Sequence, residues 1–131
     1  MDKSIFMDEY PLFSIKLNKN EIEQKTIEEL VDYFKNKIEH QNIAILLTVF
    51  DQYQHTTNIG GPINPEIKAA VNIVFGFCPA IPNTKVMAVR PRSYGICELE
   101  DSFTIDFLKA PAETYQKIME DWVDELLLVV K

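Results

Sequence analysis

At 131 residues the chain has the length of one domain, and we expect residues 1–131 to fold as a unit with a core of its own. Its apolar fraction of 47% and charged fraction of 25% are those of an ordinary globular protein, which excludes a disordered or fibrous chain. Twenty acidic against thirteen basic side chains give a formal charge of −7, so neither nucleic acid nor an anionic membrane is expected as a partner.

Targeting signals and a disulfide framework are not expected either. The first residues, MDKSIFMDEY, include acidic side chains and no apolar run of signal-peptide length, and no stretch approaches the roughly 18 apolar residues of a membrane span. Two cysteines, Cys78 and Cys97, are too few for a disulfide framework. We therefore expect a cytoplasmic protein with both cysteines as thiols.

The first half of the chain predicts a strand, a helix and a second strand. Residues 10–17, YPLFSIKL, alternate apolar and polar side chains as a half-buried strand does. Helical spacing of apolar residues then predicts a helix to about His40, which begins with a capping box between Thr26 and Glu29. Residues 43–50, IAILLTVF, are apolar on both faces, which predicts a central strand covered on two sides.

The middle of the chain opens with HTTNIGGPINP, residues 55–65, which is either the rim of a site or a corner between strands. Asn64 and Pro65 predict the start of a short helix, because asparagine caps well and proline at the first helical position loses no needed N–H. Residues 72–78 and 85–90 then predict two strands, joined by the loop PAIPNT.

The last third predicts a hairpin and a long helix. YGICELE and SFTIDFL alternate around Asp101 and Ser102, as the two strands of a hairpin do. From Pro111 onwards, apolar side chains follow at spacings of three and four: Tyr115, Ile118, Met119, Trp122, Val123, Leu126, Leu127 and Val130. The order β-α-β-α-β-β-β-β-α predicts an α+β fold, with a largely antiparallel sheet of about five strands, two main helices and one short helix.

Arg90 and Arg92 are the only arginines in the chain, and they flank Pro91. Proline favours an extended residue before it, and residues two apart in an extended segment point the same way. The two guanidinium groups are therefore expected to converge on one anion, the chemistry to which arginine is suited. The alternative is that the arginines form surface ion pairs with Glu98, Glu100 or Asp101.

His55 begins the polar segment 55–65 at the position where a general base would stand. We take Thr56, Thr57 and Asn64 as candidate ligand-binding residues beside it, and Cys78 as the thiol that would complete a nucleophilic pair with the imidazole. No metal and no cofactor are predicted, because the chain shows no CxxC, HxxxH or GxGxxG spacing.

Three blocks of the sequence carry a resemblance to a known family. They are FDQYQHTTNIGGPINPEIK (50–68), VMAVRPRSYGICELEDSFTIDFLKAP (86–111) and the closing helix with Trp122. Together they resemble a family of small single-domain bacterial proteins of unknown function. The resemblance implies no reaction, cofactor or partner for any residue.

Three hypotheses of function follow. The leading one is a small binding or regulatory module, which receives an anionic ligand or a protein partner where the segment 55–65 meets Arg90 and Arg92. The second is an enzyme that uses His55 as acid or base, with Cys78 and an anionic substrate held by the arginines. The third is a homodimer that associates through the sheet or the last helix and has no small-molecule site.

Overall fold

The computed structural model describes residues 1–77 and 79–128. Its elements in chain order are β1 (Asp2–Phe6), β2 (Tyr10–Asn18), α1 (Ile27–Glu39), β3 (Ala44–Asp51), α2 (Gln52–Asn58), β4 (Ala69–Phe77), β5 (Arg92–Glu98), β6 (Ser102–Leu108) and α3 (Glu113–Leu128). The six strands form one sheet in the order β1-β2-β6-β5-β4-β3, and every neighbouring pair is antiparallel. The predicted α+β class is confirmed, with six strands where about five were expected.

Both long helices pack on one face of the sheet, which we call the helix side. Tyr94 on β5 shows why, because its ring lies 4.6 Å from that of Phe34 on α1 and its hydroxyl donates to the Met119 carbonyl on α3 at 2.8 Å. Residues two apart on each strand share this face, so the core comprises alternate positions of four strands: Phe13, Leu17, Ile73, Phe75, Phe77, Tyr94, Ile96, Phe103, Ile105 and Phe107. We call the opposite surface the open side.

Helix α1 begins where the sequence predicts. The hydroxyl oxygen of Thr26 accepts the backbone N–H of Glu29 at 3.1 Å, which satisfies one of the free donors of the first turn. The reciprocal half of the predicted capping box is absent among the described contacts, and the Thr26 hydroxyl donates to the Glu29 carboxylate at 3.5 Å instead. Leu30, Phe34 and Ile38 are fully buried against the sheet.

The prediction of β3 as a central strand is wrong, because β3 lies at the edge of the sheet and pairs only with β4. Its register shifts between Leu46 and Thr48, as at a β-bulge. Ile45, Leu47 and Phe50 are 52%, 54% and 41% exposed. In this protein, a strand with apolar side chains on both faces is therefore an edge strand, and the apolar side chains on one of its faces are exposed to solvent.

Two predicted elements and two omissions, β1 and α2, also need correction. Residues 85–90 are not a strand, because Lys85–Val89 form a 3₁₀ turn whose first N–H groups are held by the Asn83 side chain at 2.9 and 3.1 Å. The helix predicted from Asn64 and Pro65 is also absent, and the chain passes through a turn into β4. Strand β1 escaped prediction because all five of its residues are exposed, so no burial pattern marks it.

The predicted hairpin and last helix are confirmed. Strands β5 and β6 pair across a turn at residues 99–101, and Phe103, Ile105 and Phe107 are buried on the helix side. Helix α3 places Met119, Trp122, Val123 and Leu126 in the core, whereas Leu127 is 38% exposed. Val130, the last residue of the predicted apolar stripe, lies outside the described residues.

Candidate functional site

Arg90 and Arg92 lie where the loop before β5 enters the sheet. Arg90 follows the 3₁₀ turn in extended conformation, and the peptide bond that joins it to Pro91 is cis. Arg92 begins β5 and pairs with Phe75 of β4, which places it on the helix side. Both arginines line one cavity, and Arg90 also lines a neighbouring one.

The first of these cavities, which we call the apolar cavity, has a volume of about 310 Å³. Among the described residues, Arg90 is the only charged one that lines it; the others are Ile45, Leu47, Gly76, Phe77, Ala80, Ile81, Met87 and Pro91. Ile45 and Gly76 are register partners on β3 and β4, and the absence of a side chain at Gly76 leaves room above the sheet. The cavity thus lies between the open side of the sheet edge and the loop 79–91.

A second cavity, which we call the arginine cavity, has a volume of about 200 Å³. Both arginines line it, together with the segment that enters α3: its lining is Phe77, Val86, Val89, Arg90, Arg92, Pro111, Ala112 and Tyr115. Because Arg90 and Phe77 line both cavities, the two spaces adjoin at these residues. A ligand with a charged and an apolar part fits such a pair of spaces.

The Arg92 guanidinium is held in place at this junction. One of its terminal nitrogens donates to the backbone carbonyl of Leu108. Its Nε is buried and has no hydrogen-bond partner within the part of the chain that the structure describes. Burial lowers the pKa of Arg92, an effect that Tyr94 partly offsets, yet arginine remains a cation at any physiological pH.

The neighbours of Arg90 contain no compensating carboxylate. Across the described residues Arg90 takes part in no ion pair. The alternative that the arginines pair with Glu98, Glu100 or Asp101 is wrong, because every ion pair found among the described residues has a lysine as its cation, including the pair of Lys19 with Glu98 at 2.7 Å. Arg90 therefore presents its positive charge to the two cavities.

The polar segment 55–65 satisfies its own hydrogen bonds. Thr57 donates to the Tyr53 carbonyl at 2.9 Å, and Thr56 accepts from the Gln52 side chain at 3.0 Å. The side-chain oxygen of Asn64 accepts the Glu66 N–H at 2.9 Å, which forms an Asx turn. Bonds within α2 therefore account for the two threonines, and a local turn accounts for Asn64.

The glycine pair in this segment ends a helix instead of starting one. Gly60 has a φ of +71°, the left-handed conformation that commonly closes a helix, and its N–H donates to the Thr57 carbonyl at 3.1 Å. Gly61 donates to the Thr56 carbonyl at 2.9 Å, and a Cβ at this position would meet the Thr56 methyl group at 3.0 Å. The corner interpretation therefore holds for the glycine turn, whereas residues 55–58, which were expected to be a loop, form the second half of α2.

His55 lies on α2, with its ring 5.7 Å from the ring of Phe50. No hydrogen bond to its imidazole is found among the residues that the structure describes, and Cys78, its proposed thiol partner, lies outside them. Cys97 is half-buried on β5, where burial raises the pKa of its thiol, with Asp106 adding to the effect and a hydrogen bond with Thr104 opposing it. Nothing in this arrangement activates a nucleophile.

The structure does not bring the segment 55–65 to the arginines. Asp51, the residue before α2, pairs with Val71 on β4, whereas Arg92 pairs with Phe75. Four residues of strand separate these positions by about 13 Å along the sheet. The cavities that Arg90 and Arg92 line include no residue of 55–65. The predicted single site is therefore two separate regions.

The residues missed by sequence reasoning are the apolar ones that surround Arg90. Ile81 and Met87 are 72% and 55% exposed, although both are large apolar side chains in a loop. The signal for them was present in the sequence, since a loop rich in proline that also carries isolated large apolar residues has no core to bury them. That they line one cavity with Ile45 and Leu47 could not be inferred, because these two belong to a strand that lies more than thirty residues earlier in the sequence.

Metal-ligand clusters and membrane-spanning helices were looked for within residues 1–77 and 79–128 of the fold. No group of three or more His, Cys, Asp or Glu side chains is arranged to hold a metal ion in this part of the chain. Its helices are also too short or too polar for any of them to cross a bilayer.

Fold and cavities together define a two-layer α+β protein with a small cavity bordered by arginine at one end of its sheet. A model for a family of unknown function, DUF6858, matches residues 1–128, and the chain belongs to that family. The predicted resemblance to a family of unknown function is thereby confirmed. Neither a curated protein nor a solved structure matches the chain.

Proposed function

We propose that this protein binds a small anionic ligand, whose acidic group is held by Arg90 and Arg92 where the apolar cavity meets the arginine cavity. The observation that carries the proposal is the position of Arg90, which lines both cavities and has no ion-pair partner among the described residues. A partly desolvated guanidinium without a carboxylate is a favourable place for an anion, because its charge is less screened than on an open surface.

The electrostatics of the chain support this site. With a formal charge of −7, most of the surface repels anions. Both arginines of the chain nevertheless lie at one cavity, and Arg92 is oriented there by its bond to the Leu108 carbonyl. Two guanidinium groups on one cavity allow bidentate binding of a carboxylate or a phosphate.

Thermal unfolding in the presence of a panel of anions tests the proposal. An anion at one hundred times its Kd stabilises the folded state by about 2.7 kcal/mol, which raises the Tm of a domain of this size by about 8 °C. The substitution Arg90→Gln should abolish this shift and leave the Tm of the free protein nearly unchanged, since the Arg90 side chain makes no hydrogen bond or ion pair with the residues that the structure describes. Lys68→Gln is the matched control, because it removes the same charge near Glu98, at the other end of the sheet. The proposal fails if no anion shifts the wild-type Tm, or if the control behaves as Arg90→Gln does.

A second candidate, self-association through β3, is favoured by the exposure of this edge strand. An edge strand leaves one row of backbone N–H and C=O groups unpaired and is a template for another strand. Here it also exposes the apolar side chains of Ile45, Leu47 and Phe50. Two copies that pair β3 against β3 would form a continuous sheet about a two-fold axis.

The mass of the protein in solution decides this candidate. Sedimentation velocity at high micromolar concentration should give a dimer, and Leu47→Lys should convert it into a monomer because a charge then has to be buried at the edge. A wild-type monomer at that concentration would eliminate the candidate.

A further inference from the structure

We infer that the ligand is an amphipathic monoanion, a soluble straight-chain carboxylate with its head at Arg90 and its aliphatic chain in the apolar cavity. The inference rests on the proposed anion site and adds the chemical class of the ligand. It is carried by the contrast between one cation and eight uncharged residues on the wall of the same cavity.

The wall of the apolar cavity would add little to the binding of a purely inorganic anion. Ile45, Leu47 and Met87 are between 52% and 55% exposed, and Ile81 is 72% exposed, so the cavity holds a cluster of apolar surface in contact with water. A sulfate or phosphate ion at Arg90 would leave that surface hydrated. An aliphatic chain would remove it from water, and this is the favourable contribution that such a wall can make.

The size of the cavity limits the length of the chain. At roughly 30 Å³ for each non-hydrogen atom, a space of about 310 Å³ holds about ten such atoms, the number in octanoate. Met87 has an unbranched, flexible side chain that can adapt to chains of somewhat different length. The structure thus favours carboxylates of medium length over acetate and over long-chain fatty acids.

The position of the head follows from the residues that the two cavities share. Arg90 and Phe77 line both of them, whereas Arg92 lines only the arginine cavity of the two. A carboxylate at the junction can therefore accept from both guanidinium groups while its chain turns towards Ile45 and Ile81. The opposite orientation would place the carboxylate among apolar side chains without a donor.

Calorimetric titration of the full chain with butanoate, hexanoate and octanoate, each below its micelle concentration, tests the ligand class. Each added CH₂ that becomes buried should lower the Kd about fourfold, the equivalent of about 0.8 kcal/mol, so octanoate should bind about sixteen times more tightly than hexanoate. The gain should end beyond about ten non-hydrogen atoms. Octanol, which lacks the charge, should bind much more weakly, and Arg90→Gln should remove most of that difference.

Three variants assign the binding to the apolar cavity. Ala80→Trp, at an exposed position on the cavity wall, should fill the space and abolish the dependence on chain length. Ile81→Ala should weaken octanoate binding several-fold, and Ile59→Ala should not, because Ile59 has a similar exposure of 68% and lines neither cavity. Chain-length dependence that survives Ala80→Trp would indicate adsorption elsewhere on the protein and overturn the inference.

Three further outcomes show whether a failure concerns only the amphipathic ligand or also the anion site on which this inference rests. If acetate or inorganic phosphate binds through Arg90 as tightly as octanoate does, the anion site stands and the amphipathic ligand is wrong. If neither carboxylates nor phosphate bind, both proposals are wrong. Binding to phosphatidylglycerol vesicles without binding of soluble octanoate would point to a membrane surface and would also overturn the inference.

Discussion

On the helix side of the sheet the apolar side chains interlock, whereas on the open side those of β3 and of the loop 79–91 stay exposed. Phe75 makes ring contacts with Phe77, Tyr94 and Trp122 at centroid distances of 5.3 to 5.8 Å and has no exposed surface. Ile45, on the neighbouring strand but on the open side, keeps 52% of its surface in water. The difference separates residues that hold the fold together from residues that are free to meet a ligand.

The largest expected difference between the two sides comes from a matched pair of phenylalanine substitutions. Phe75→Ala should lower the free energy of unfolding by about 3–5 kcal/mol, because it leaves a cavity in a packed aromatic cluster. Phe50→Ala, on the same sheet but at a position 41% exposed, should cost about 1 kcal/mol or less. Urea unfolding of both variants measures the two values. Equal costs would show that the open side is packed as tightly as the helix side.

The buried hydroxyl of Tyr94 is the next test of the helix side. Tyr94→Phe removes its bond to the Met119 carbonyl at 2.8 Å, which should cost about 1 kcal/mol at neutral pH. Burial raises the pKa of Tyr94 well above its usual value, an effect strengthened by Tyr33 and opposed by Arg92.

The raised pKa of Tyr94 also makes stability depend on alkaline pH. Because the folded protein keeps a proton that the unfolded chain loses above about pH 10, this contribution is fully present below pH 10 and is lost as the pH rises further. Tyr94 should then make the protein less stable as the pH rises above 10, and Tyr94→Phe should remove this part of the pH dependence while the part due to Tyr33 remains. Urea unfolding at several pH values between 9 and 11 measures it; identical slopes in the two proteins would contradict the burial of this hydroxyl.

The cap of α1 provides a smaller effect on the helix side. Thr26→Ala removes the acceptor for the Glu29 N–H and should lower the free energy of unfolding by about 1 kcal/mol, whereas Thr26→Ser should keep the bond and most of the stability. Thermal unfolding of the two variants distinguishes the loss of the cap from a general effect of substitution. A loss of equal size in both would mean that the hydroxyl is not the cause.

The smallest effect on stability is expected on the open side, at the cavity itself. Ile45→Thr keeps a β-branched side chain on an edge strand and should change the free energy of unfolding by no more than about 0.5 kcal/mol. The same substitution should weaken octanoate binding several-fold, because it places a hydroxyl in the wall of the apolar cavity. If Ile45→Thr lowered the free energy of unfolding strongly and left octanoate binding unchanged, the open side would stabilise the fold and would not bind the ligand.

The sequence predicted those elements whose pattern reflects burial on one side. Thr26 and the spacing of Leu30, Phe34 and Ile38 located α1, and the alternation of Phe103, Ile105 and Phe107 located β6. Strand β1 was missed because exposure on both sides leaves no alternation. The edge position of β3 was missed because residues that line a cavity have the same apolar pattern as residues covered by a helix.

The site was predictable only in its charged part. Arg90 and Arg92 stood out as the only arginines of an acidic chain, and Pro91 indicated the extended backbone that Arg90 adopts. Part of the apolar lining beside Arg90 comes from β3, whose place next to β4 depends on strand pairing that the sequence does not reveal. The composition of the polar segment 55–65 suggested a binding site. Its threonine and asparagine side chains instead form local hydrogen bonds at the other end of the sheet.

Chemical-shift mapping of the full-length, isotope-labelled protein with octanoate tests the central claim most directly. We expect the backbone amide signals of Ile45, Leu47, Ile81 and Met87 to shift in a saturable way as octanoate is added. The signals of His55 and Thr56 should not shift, and Arg90→Gln should remove the response. Movement of the His55 and Thr56 signals with an unchanged loop 79–91, or no saturable movement at all, would contradict the assignment of the ligand to the apolar cavity.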